Sequence, residues 1–200
     1  MKILLASSNK NKAIELSPVM PGHKILLPQE IGINFDFEET GLTFLDNALG
    51  KAKDLFNQTK TPVIGEDSGL CVPALGGEPG IYSARYGSDG TNKLGDKERN
   101  SYLLKKMENI TDRRAYFICS MVLVLDCDRF YVCQETVDGE ILHEPRGEGG
   151  FGYDPLFYIK ENGKTAAELT ADEKNIVSHR GRAGRAMAEL IKSLKELKLC

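Results

Sequence analysis

The chain has 200 residues, of which 26 are Lys or Arg and 29 are Asp or Glu, so its formal net charge is −3. This length fits one globular domain or two small ones. Apolar residues make up 41% and charged residues 28%, which is typical of globular proteins and excludes disordered, collagen-like and fibrous classes. The slightly acidic net charge argues against a protein that binds nucleic acid over its whole surface.

Cysteine usage and hydropathy indicate a reducing, aqueous compartment. The five cysteines form an odd set without a Cys-x-x-Cys pair, and the three His residues lie far apart in sequence. Neither a disulfide framework nor a structural zinc site is therefore expected. The apolar residues 3–6 are too few for the core of a signal peptide, and no apolar run reaches membrane-spanning length. We expect a soluble, cytoplasmic protein that binds neither membrane nor nucleic acid.

Hydrophobic periodicity predicts strands mixed with helices along the whole chain. The predicted strands cover residues 3–6, 24–27, 62–64, 115–125, 130–137 and 156–159. A partial helical stripe at residues 13–19 follows capping residues at 7–9, and further predicted helices cover residues 43–56, 97–107 and 183–197. Thr43 and Asp46 form a capping box, and Ser178 caps the last helix. This pattern indicates an α/β domain built around one mixed sheet.

Glycine-containing segments predict three irregular connections. Ser68-Gly69 is interpreted as a tight polar turn after the strand at 62–64, and Asp138-Gly139 gives a strong turn signal. Residues 73–90 are rich in Gly and Pro and are predicted to form a long loop. Long loops in compact domains are usually functional or mobile.

The first candidate site is a polar run between the first strand and the first helix. It consists of Ser7, Ser8, Asn9, Lys10, Asn11 and Lys12. The N-terminus of a helix attracts phosphate because its backbone N–H groups are unpaired, and the two lysines add positive charge. An ordinary capped helix with solvated lysines is the alternative, since the run matches neither a Walker A nor a dinucleotide-binding pattern.

The second candidate site is acidic. Glu38-Glu39 lies in a polar segment, and Glu66-Asp67 directly follows a predicted strand, at the edge of an α/β sheet where ligands usually bind. Two such pairs brought together would repel each other unless a cation lay between them, and oxygen ligands favour Mg²⁺ over a soft metal. Solvated loop acids are the alternative, and it is stronger for Glu38-Glu39.

Two further clusters could contact a nucleotide. Residues 147–154 are glycine-rich, which allows close backbone approach, and Phe151 and Tyr153 offer faces for base stacking. Lys174 and residues 178–180 supply cations, and a helix break near Ser178 could direct them into one pocket. The alternative for residues 147–154 is a flexible hairpin whose aromatic residues return to the core. The alternative for Lys174 and residues 178–180 is a set of solvated surface cations. Together, the four clusters match a nucleoside triphosphate with Mg²⁺.

These residues match a known family: the chain resembles the Ham1-type inosine/xanthosine triphosphate pyrophosphatases over essentially its whole length. The resemblance rests, in this order, on residues 7–12, 38–44, 66–70, 75–77, 79–86, 149–155, 164–169 and 178–181. It implies a single domain over residues 1–200 with an elongated, twisted mixed β-sheet flanked by helices and two lobes with a central cleft. It also implies Mg²⁺-dependent hydrolysis of dITP, ITP, XTP and dXTP to the monophosphate and pyrophosphate, usually by a homodimer.

The resemblance also implies residue roles. Asp67 is expected to be the general base, and Glu39, Glu66 and Asp67 are expected at the metal. The family often has Ala or Asp where this chain has Glu66, and either Glu38 or Glu39 could touch the metal. The expected substrate contacts are Ser7, Ser8, Asn9, Lys10, Asn11, Lys12, Lys51, Ser68, Phe151, Gly152, Tyr153, Asp154, Lys174, His179 and Arg180.

Substrate choice must depend on the 6-position of the purine, which is keto in hypoxanthine and xanthine but amino in adenine. A donor aimed at that oxygen would face another donor if adenine entered. Arg180 and backbone N–H groups near Phe151 are the candidates for this donor. Two other functions remain open at this point: a Maf-type pyrophosphatase acting on pyrimidine nucleotides, and a non-catalytic nucleotide sensor or RNA-binding module.

Overall fold

Seven strands form one sheet in the order β2-β1-β3-β4-β5-β6-β7. The computed structural model describes residues 1–89 and 94–196. The strands are β1 (Lys2–Leu5), β2 (Lys24–Leu26), β3 (Val63–Cys71), β4 (Arg114–Val124), β5 (Phe130–Ile141), β6 (Phe157–Ile159) and β7 (Lys164–Thr165). β1 is parallel to β2 and β3, whereas β6 is antiparallel to β5 and β7. The predicted α/β fold around a mixed sheet is therefore confirmed.

The described ranges contain five α-helices. They are α1 (Lys10–Leu16), α2 (Phe44–Thr59), α3 (Asp96–Lys106), α4 (Ala171–Val177) and α5 (His179–Glu196). The capping box predicted for α2 is present, because Thr43 Oγ1 accepts from Asp46 N and the Asp46 carboxylate accepts from Thr43 N. None of these helices is both long and apolar enough to cross a membrane.

The chain divides into two compact units, each made of separate chain segments. The first unit contains residues 1–68, 119–135 and the segment from 179 onward, and the second contains residues 69–118 and 136–178. The strands β3, β4 and β5 each contribute residues to both units. The single domain over residues 1–200 and the central cleft remain predictions.

In the first unit, the two faces of β1 are covered by different helices. Ile3 and Leu5 pack in one cluster with residues of α1 and α5, whereas Leu4 and Ala6 pack in another with residues of α2. This follows from the alternation of side chains along a strand that is apolar throughout. α1 and α5 therefore lie on one face of the sheet, and α2 lies on the other.

The second unit has its own apolar core. It joins the end of β3, helix α3 and the strands β4 to β6 around fully or nearly buried side chains. These include Leu70, Val72, Leu103, Met107, Phe117, Tyr153, Leu156 and Phe157. Because Tyr153 belongs to this core, the glycine-rich segment 147–154 is attached to the core at one of its aromatic residues.

Two of the predicted turns are wrong. β3 continues through Ser68-Gly69 to Cys71, and β5 continues through Asp138-Gly139 to Ile141. Gly139 serves close packing instead of a turn, since a Cβ there would lie 2.6 Å from Phe157 Cζ and 2.6 Å from Tyr158 O. A glycine in a strand often marks such a close approach.

The remaining boundaries follow the predictions with small shifts. The predicted loop at residues 73–90 contains two short 3-10 helices, Pro73–Leu75 and Gly80–Tyr82, and its last residue, Gly90, lies outside the described residues. The C-terminal helix begins at His179, and its predicted end at Leu197 also lies outside them. β7 and α4 were not predicted, because each is too short for a periodic signal.

The role of Gly139 can be separated from that of a turn by two neighbouring substitutions. We expect Gly139→Ala to lower the free energy of unfolding by about 1–3 kcal/mol, because the added methyl group overlaps Phe157 and the Tyr158 carbonyl. Asp138→Ala, at an exposed position of the same strand, should change it little. Equal losses for both variants in urea unfolding would favour a turn at this dipeptide.

Candidate active site

The two central carboxylates of the first unit lie next to each other on β3 but face opposite sides of the sheet. Successive side chains of a strand alternate between its faces. Glu66 contacts Lys12 of α1 and Arg180 of α5, whereas Asp67 contacts Asn47 and Lys51 of α2. Glu66 and Asp67, both of which are expected at one metal from the family resemblance, therefore meet different sets of partners.

Glu66 is the centre of a buried charge network on the side of α1 and α5. Its side chain is 1% exposed. Its Oε1 lies 3.0 Å from Arg180 Nη2, and its Oε2 lies 2.7 Å from Lys12 Nζ. Arg180 also pairs with Glu15 at 2.5 Å and donates to Ser68 Oγ at 2.7 Å. Four charged side chains thus form one connected network, as buried charges require.

The network determines the protonation of Glu66. Burial by itself would raise the pKa of Glu66, but Arg180 and Lys12 outweigh it and hold the pKa well below its usual value. Arg180 is raised in pKa by Glu66 and Glu15 although its burial acts in the other direction. The Cys119 thiol, 3.4 Å from Glu66 Oε1, is raised in pKa first by burial and then by Glu66. Glu66 is therefore a fixed negative charge.

On the other face, Lys51 joins Asp67 to Glu39. Lys51 Nζ lies 3.1 Å from Asp67 Oδ1 and 2.6 Å from Glu39 Oε1. Asn47, one turn earlier on α2, donates from Nδ2 to Asp67 Oδ2 at 3.2 Å and accepts from Gly41 N at 2.8 Å. Helix α2 can approach β3 this closely because of Gly65, where a Cβ would lie 2.0 Å from Ala48 O.

The protonation of this second cluster differs from that of Glu66. Burial raises the pKa of Asp67 above its usual value, and Lys51 offsets only part of that effect. Burial by itself would lower the pKa of Lys51, but Asp67 and Glu39 outweigh it, so the pKa is raised. Glu38, in contrast, is exposed. Of the two candidates, Glu39 is therefore the one that joins the cluster.

The polar run at residues 7–12 forms the entrance to α1. Ser7 Oγ accepts from Asn9 N at 3.1 Å, and Asn9 caps the helix by accepting from Asn11 N at 2.9 Å. Ser8, Lys10 and Asn11 are exposed. Lys12 points to Glu66 instead of into solvent. His179 is buried at the start of α5, next to Arg180.

In the second unit, Asp154 holds the predicted base-binding segment together. Asp154 Oδ2 accepts from Phe151 N at 2.8 Å and from Lys174 Nζ at 2.6 Å. Lys174 Nζ in turn lies 5.0 Å from the centre of the Phe151 ring, within the range of a cation–π interaction. A half-buried aromatic face, a buried ammonium and a buried carboxylate are thereby fixed relative to one another.

Tyr153 does not offer the exposed ring that the sequence suggested. The residue is 3% exposed, its ring belongs to the core of the second unit, and its hydroxyl donates to Ser83 O at 2.9 Å. Phe151 is therefore the aromatic residue of this segment that is left for stacking. The predicted break at Ser178 is present, because this residue is extended and ends α4.

Three site residues were missed by sequence reasoning. Asn47 lies four residues before Lys51 on α2, so that spacing could have placed both on one helix face. Asp96 and Asn100 of α3 bind the backbone of Gly152, which is discussed below. The sequence contains no signal that distinguishes Asp96 and Asn100, because polar residues on a surface helix are common.

Among residues 1–89 and 94–196, no group of three or more His, Cys, Asp or Glu side chains is arranged to hold a metal ion. Mg²⁺, however, is usually bound by one or two carboxylates, with waters and substrate phosphates completing its octahedron. Glu39 and Asp67 provide two such carboxylates, and both already converge on one cation, Lys51 Nζ. This pair fits a magnesium ion that is shared with a phosphate ligand. Glu66 fits less well, since its partners are Arg180 and Lys12.

Fold and site define an α/β protein with a buried acid–lysine cluster. The chain belongs to the Ham1 family, whose model matches residues 3–190. It is 50% identical over 192 residues, 96% of this chain and 99% of the relative, to a dITP/XTP pyrophosphatase of Treponema denticola. It is 42% identical over 199 residues to a protein of the same name from Escherichia coli, covering 96% and 98% of the two chains.

Solved structures give the same result for the fold. The Ham1 protein of Staphylococcus aureus matches with a TM-score of 0.85 and 39% identity, and a HAM1 protein from Coxiella burnetii matches with 0.87 and 37%. Each match covers 96% of this chain and 99% of the other. The resemblance to this family that the motifs indicated is therefore confirmed.

The Glu66 network generates a stability prediction. We expect Glu66→Gln to lower the free energy of unfolding by about 3 kcal/mol, because the buried Arg180 and the half-buried Lys12 lose a negative partner. Glu140→Gln removes a more solvent-accessible ion pair of comparable length, 2.6 Å to Lys160, and should cost little. The measurement is urea unfolding of both variants, and a small, equal loss for the two would contradict the network.

Proposed function

We propose that this chain hydrolyses the non-canonical purine triphosphates dITP, ITP, XTP and dXTP to the nucleoside monophosphate and pyrophosphate. The observation that supports it best is the near-full-length identity of 42–50% to relatives named dITP/XTP pyrophosphatase. The chain is then a hydrolase of nucleotide metabolism that removes deaminated purines from the nucleotide pool. The buried acid–lysine cluster around Asp67 provides the chemistry that such a reaction needs.

In this proposal, Glu39 and Asp67 hold Mg²⁺. When bound there, Mg²⁺ supplies charge stabilisation and orientation at the phosphate oxygens. Lys51 lies between the two carboxylates and contributes a second cation at the same place. The fixed charge of Glu66 keeps Lys12 and Arg180 in position, instead of ligating the metal itself.

Asp67 is proposed as the general base that activates the attacking water. A carboxylate is a better proton acceptor when its pKa is raised towards the operating pH, and burial raises the pKa of Asp67. Asn47 and Lys51 each occupy one of its two oxygens in part, and thereby hold its orientation. Both partners donate, so they favour the ionised form of the carboxylate and hold its orientation at the same time.

The phosphates are proposed to bind the polar run at residues 7–12 and the lysines. Ser8, Lys10 and Asn11 are exposed there. Backbone N–H groups at a helix N-terminus together with lysine charge suit phosphate oxygens and the leaving pyrophosphate. Ser68, Lys51, His179 and Arg180 complete the proposed contacts of the first unit.

The base is proposed to stack on Phe151, with Gly152, Tyr153, Asp154 and Lys174 as the neighbouring contacts. Asp154 and Lys174 provide an acceptor and a donor beside the ring. Two backbone N–H groups here, those of Phe151 and Gly152, already donate to carboxylates. This favours a side-chain donor for the 6-keto oxygen, with Lys174 and Arg180 as the candidates.

The wider setting is proposed on the same basis. The family resemblance supports a homodimer, and the composition supports a cytoplasmic protein without membrane or nucleic-acid partners. The substrate is a free nucleotide, so neither of those partners is required. Sedimentation of the purified chain at several concentrations measures the oligomeric state directly.

A substrate panel tests the proposed function. We expect pyrophosphate release from dITP and XTP with Mg²⁺, none without a divalent cation, and at least about hundredfold less from dATP, because a donor-to-donor mismatch in a buried site is costly. Modified pyrimidine triphosphates in the same panel represent the Maf-type alternative. A preference for those substrates would contradict the proposal, and so would Mg²⁺-independent binding without pyrophosphate release.

The role of Asp67 is tested by Asp67→Asn. We expect this variant to lose turnover by about a thousandfold or more, because the amide cannot accept the proton of water. Binding of dITP, measured calorimetrically, should remain within about tenfold, since the remaining phosphate and base contacts are intact. Asp54→Asn, at a half-buried position of α2 whose carboxylate accepts from Gln58 Nε2, is the matched control and should behave like the parent chain. Near-normal kcat in Asp67→Asn would remove Asp67 from this role.

A further inference from the structure

Helix α3 holds the peptide groups on both sides of Gly152. Asp96 Oδ2 accepts from Gly152 N at 2.7 Å, and Asn100 Nδ2 donates to Gly152 O at 3.1 Å. Asp96 and Asn100 lie four residues apart, so they occupy one face of the helix, one turn from each other. The residue after Phe151 is thus bound to α3 through its own N–H and its own carbonyl.

These two bonds hold the segment at a point where its own backbone is least restrained. Gly150 and Gly152 both have positive φ, 71° and 63°, in a region that glycine enters freely. Next to them, α3 and the glycine-rich segment line a hollow of about 720 Å³, so the two elements are not joined there by tight apolar packing. Phe151 lies between the two glycines, and its ring direction depends on their conformations.

The stability of the fold does not by itself explain an asparagine at position 100. The residue is 5% exposed, and within residues 1–89 and 94–196 its Oδ1 is buried and has no hydrogen-bond partner. A buried acceptor that is left unsatisfied destabilises a fold. The bond from Nδ2 to Gly152 O is what this side chain provides. Asp96 is held in place as well, because its other oxygen pairs with Arg99.

We propose that Asp96 and Asn100 are positioning residues for base recognition, and that they act by fixing Gly152 so that Phe151 presents its ring to the purine. This inference rests on the proposed function, in which Phe151 stacks on the base. Neither residue contacts the reacting phosphates in this scheme. Their loss should therefore weaken binding of a nucleotide but not of pyrophosphate, which has no base.

The test measures kcat and KM for dITP and the inhibition constant of inorganic pyrophosphate. We expect Asn100→Ala to raise KM about tenfold, the equivalent of one hydrogen bond, with kcat and the pyrophosphate constant changed by no more than about twofold. Phe151→Ala should raise KM at least as much. In the Phe151→Ala background, adding Asn100→Ala should change nothing further, because two residues that act through one contact are not additive.

Four companion variants separate positioning from a general loss of structure. Asn100→Asp keeps the shape but loses the donor, so it should reproduce Asn100→Ala even if the alanine variant folds poorly. Asp96→Ala should also raise KM, whereas Asp96→Asn retains an acceptor and should recover most of the loss. Ser101→Ala is the control, because Ser101 lines the same hollow but donates its hydroxyl to Lys97 O. It should leave KM unchanged.

The outcomes distinguish this inference from the proposed function. If the parent chain does not hydrolyse dITP, or if Phe151→Ala leaves KM unchanged, the proposed function or its stacking contact fails and this inference fails with it. If Phe151→Ala raises KM but the variants at positions 96 and 100 do not, the inference alone is overturned. It is also overturned if Asn100→Ala raises KM by the same factor in the Phe151→Ala background as in the parent chain. The same holds if Asn100→Ala weakens the binding of pyrophosphate as much as the binding of dITP.

Discussion

Two adjacent carboxylates are buried on one strand, and each must be neutralised on its own side of the sheet. An ionised group that is removed from water needs charged partners and hydrogen bonds, or it loses its charge. Because Glu66 and Asp67 alternate across β3, the cations must come from helices on both faces. Arg180 and Lys12 arrive from α5 and α1, and Lys51 arrives from α2. The positions of three helices are thus tied to the charges of one dipeptide.

The same alternation gives the two carboxylates different chemistry. Glu66 meets two cations and its pKa is held well below the usual value, so it acts as a constant charge. Asp67 shares Lys51 with Glu39, burial outweighs the effect of that lysine, and the pKa of Asp67 is raised. One residue of the pair is therefore suited to holding cations in place, and the other is suited to accepting a proton. Their environments produce this difference in pKa, since the side chains differ by only one methylene group.

Sequence reasoning recovered what depends on local signals and missed what depends on packing. Thr43 with Asp46 fixed the start of α2, because a capping box is complete within four residues. Asp138-Gly139 was misread as a turn, because the reason for that glycine is the distant Phe157 ring. The turn predicted at Ser68-Gly69 is also the reason why the sequence did not predict that Glu66 and Asp67 face opposite sides of a strand. The bond between Lys51 and Glu39 spans twelve residues, and only the tertiary structure shows it.

The glycine-rich segment shows that glycines need not make a chain flexible. Gly150 is required for contact, since a Cβ there would lie 2.0 Å from Asp154 Oδ2, which binds Phe151 N and Lys174. Gly152 is held on its other side by α3 through a carboxylate and an amide. Backbone groups that would otherwise bond to water are thereby given side-chain partners. The glycines thus allow close approach, and the carboxylates and the amide that bind the backbone hold the segment in one conformation. The ring of Phe151 between the two glycines can therefore keep one orientation.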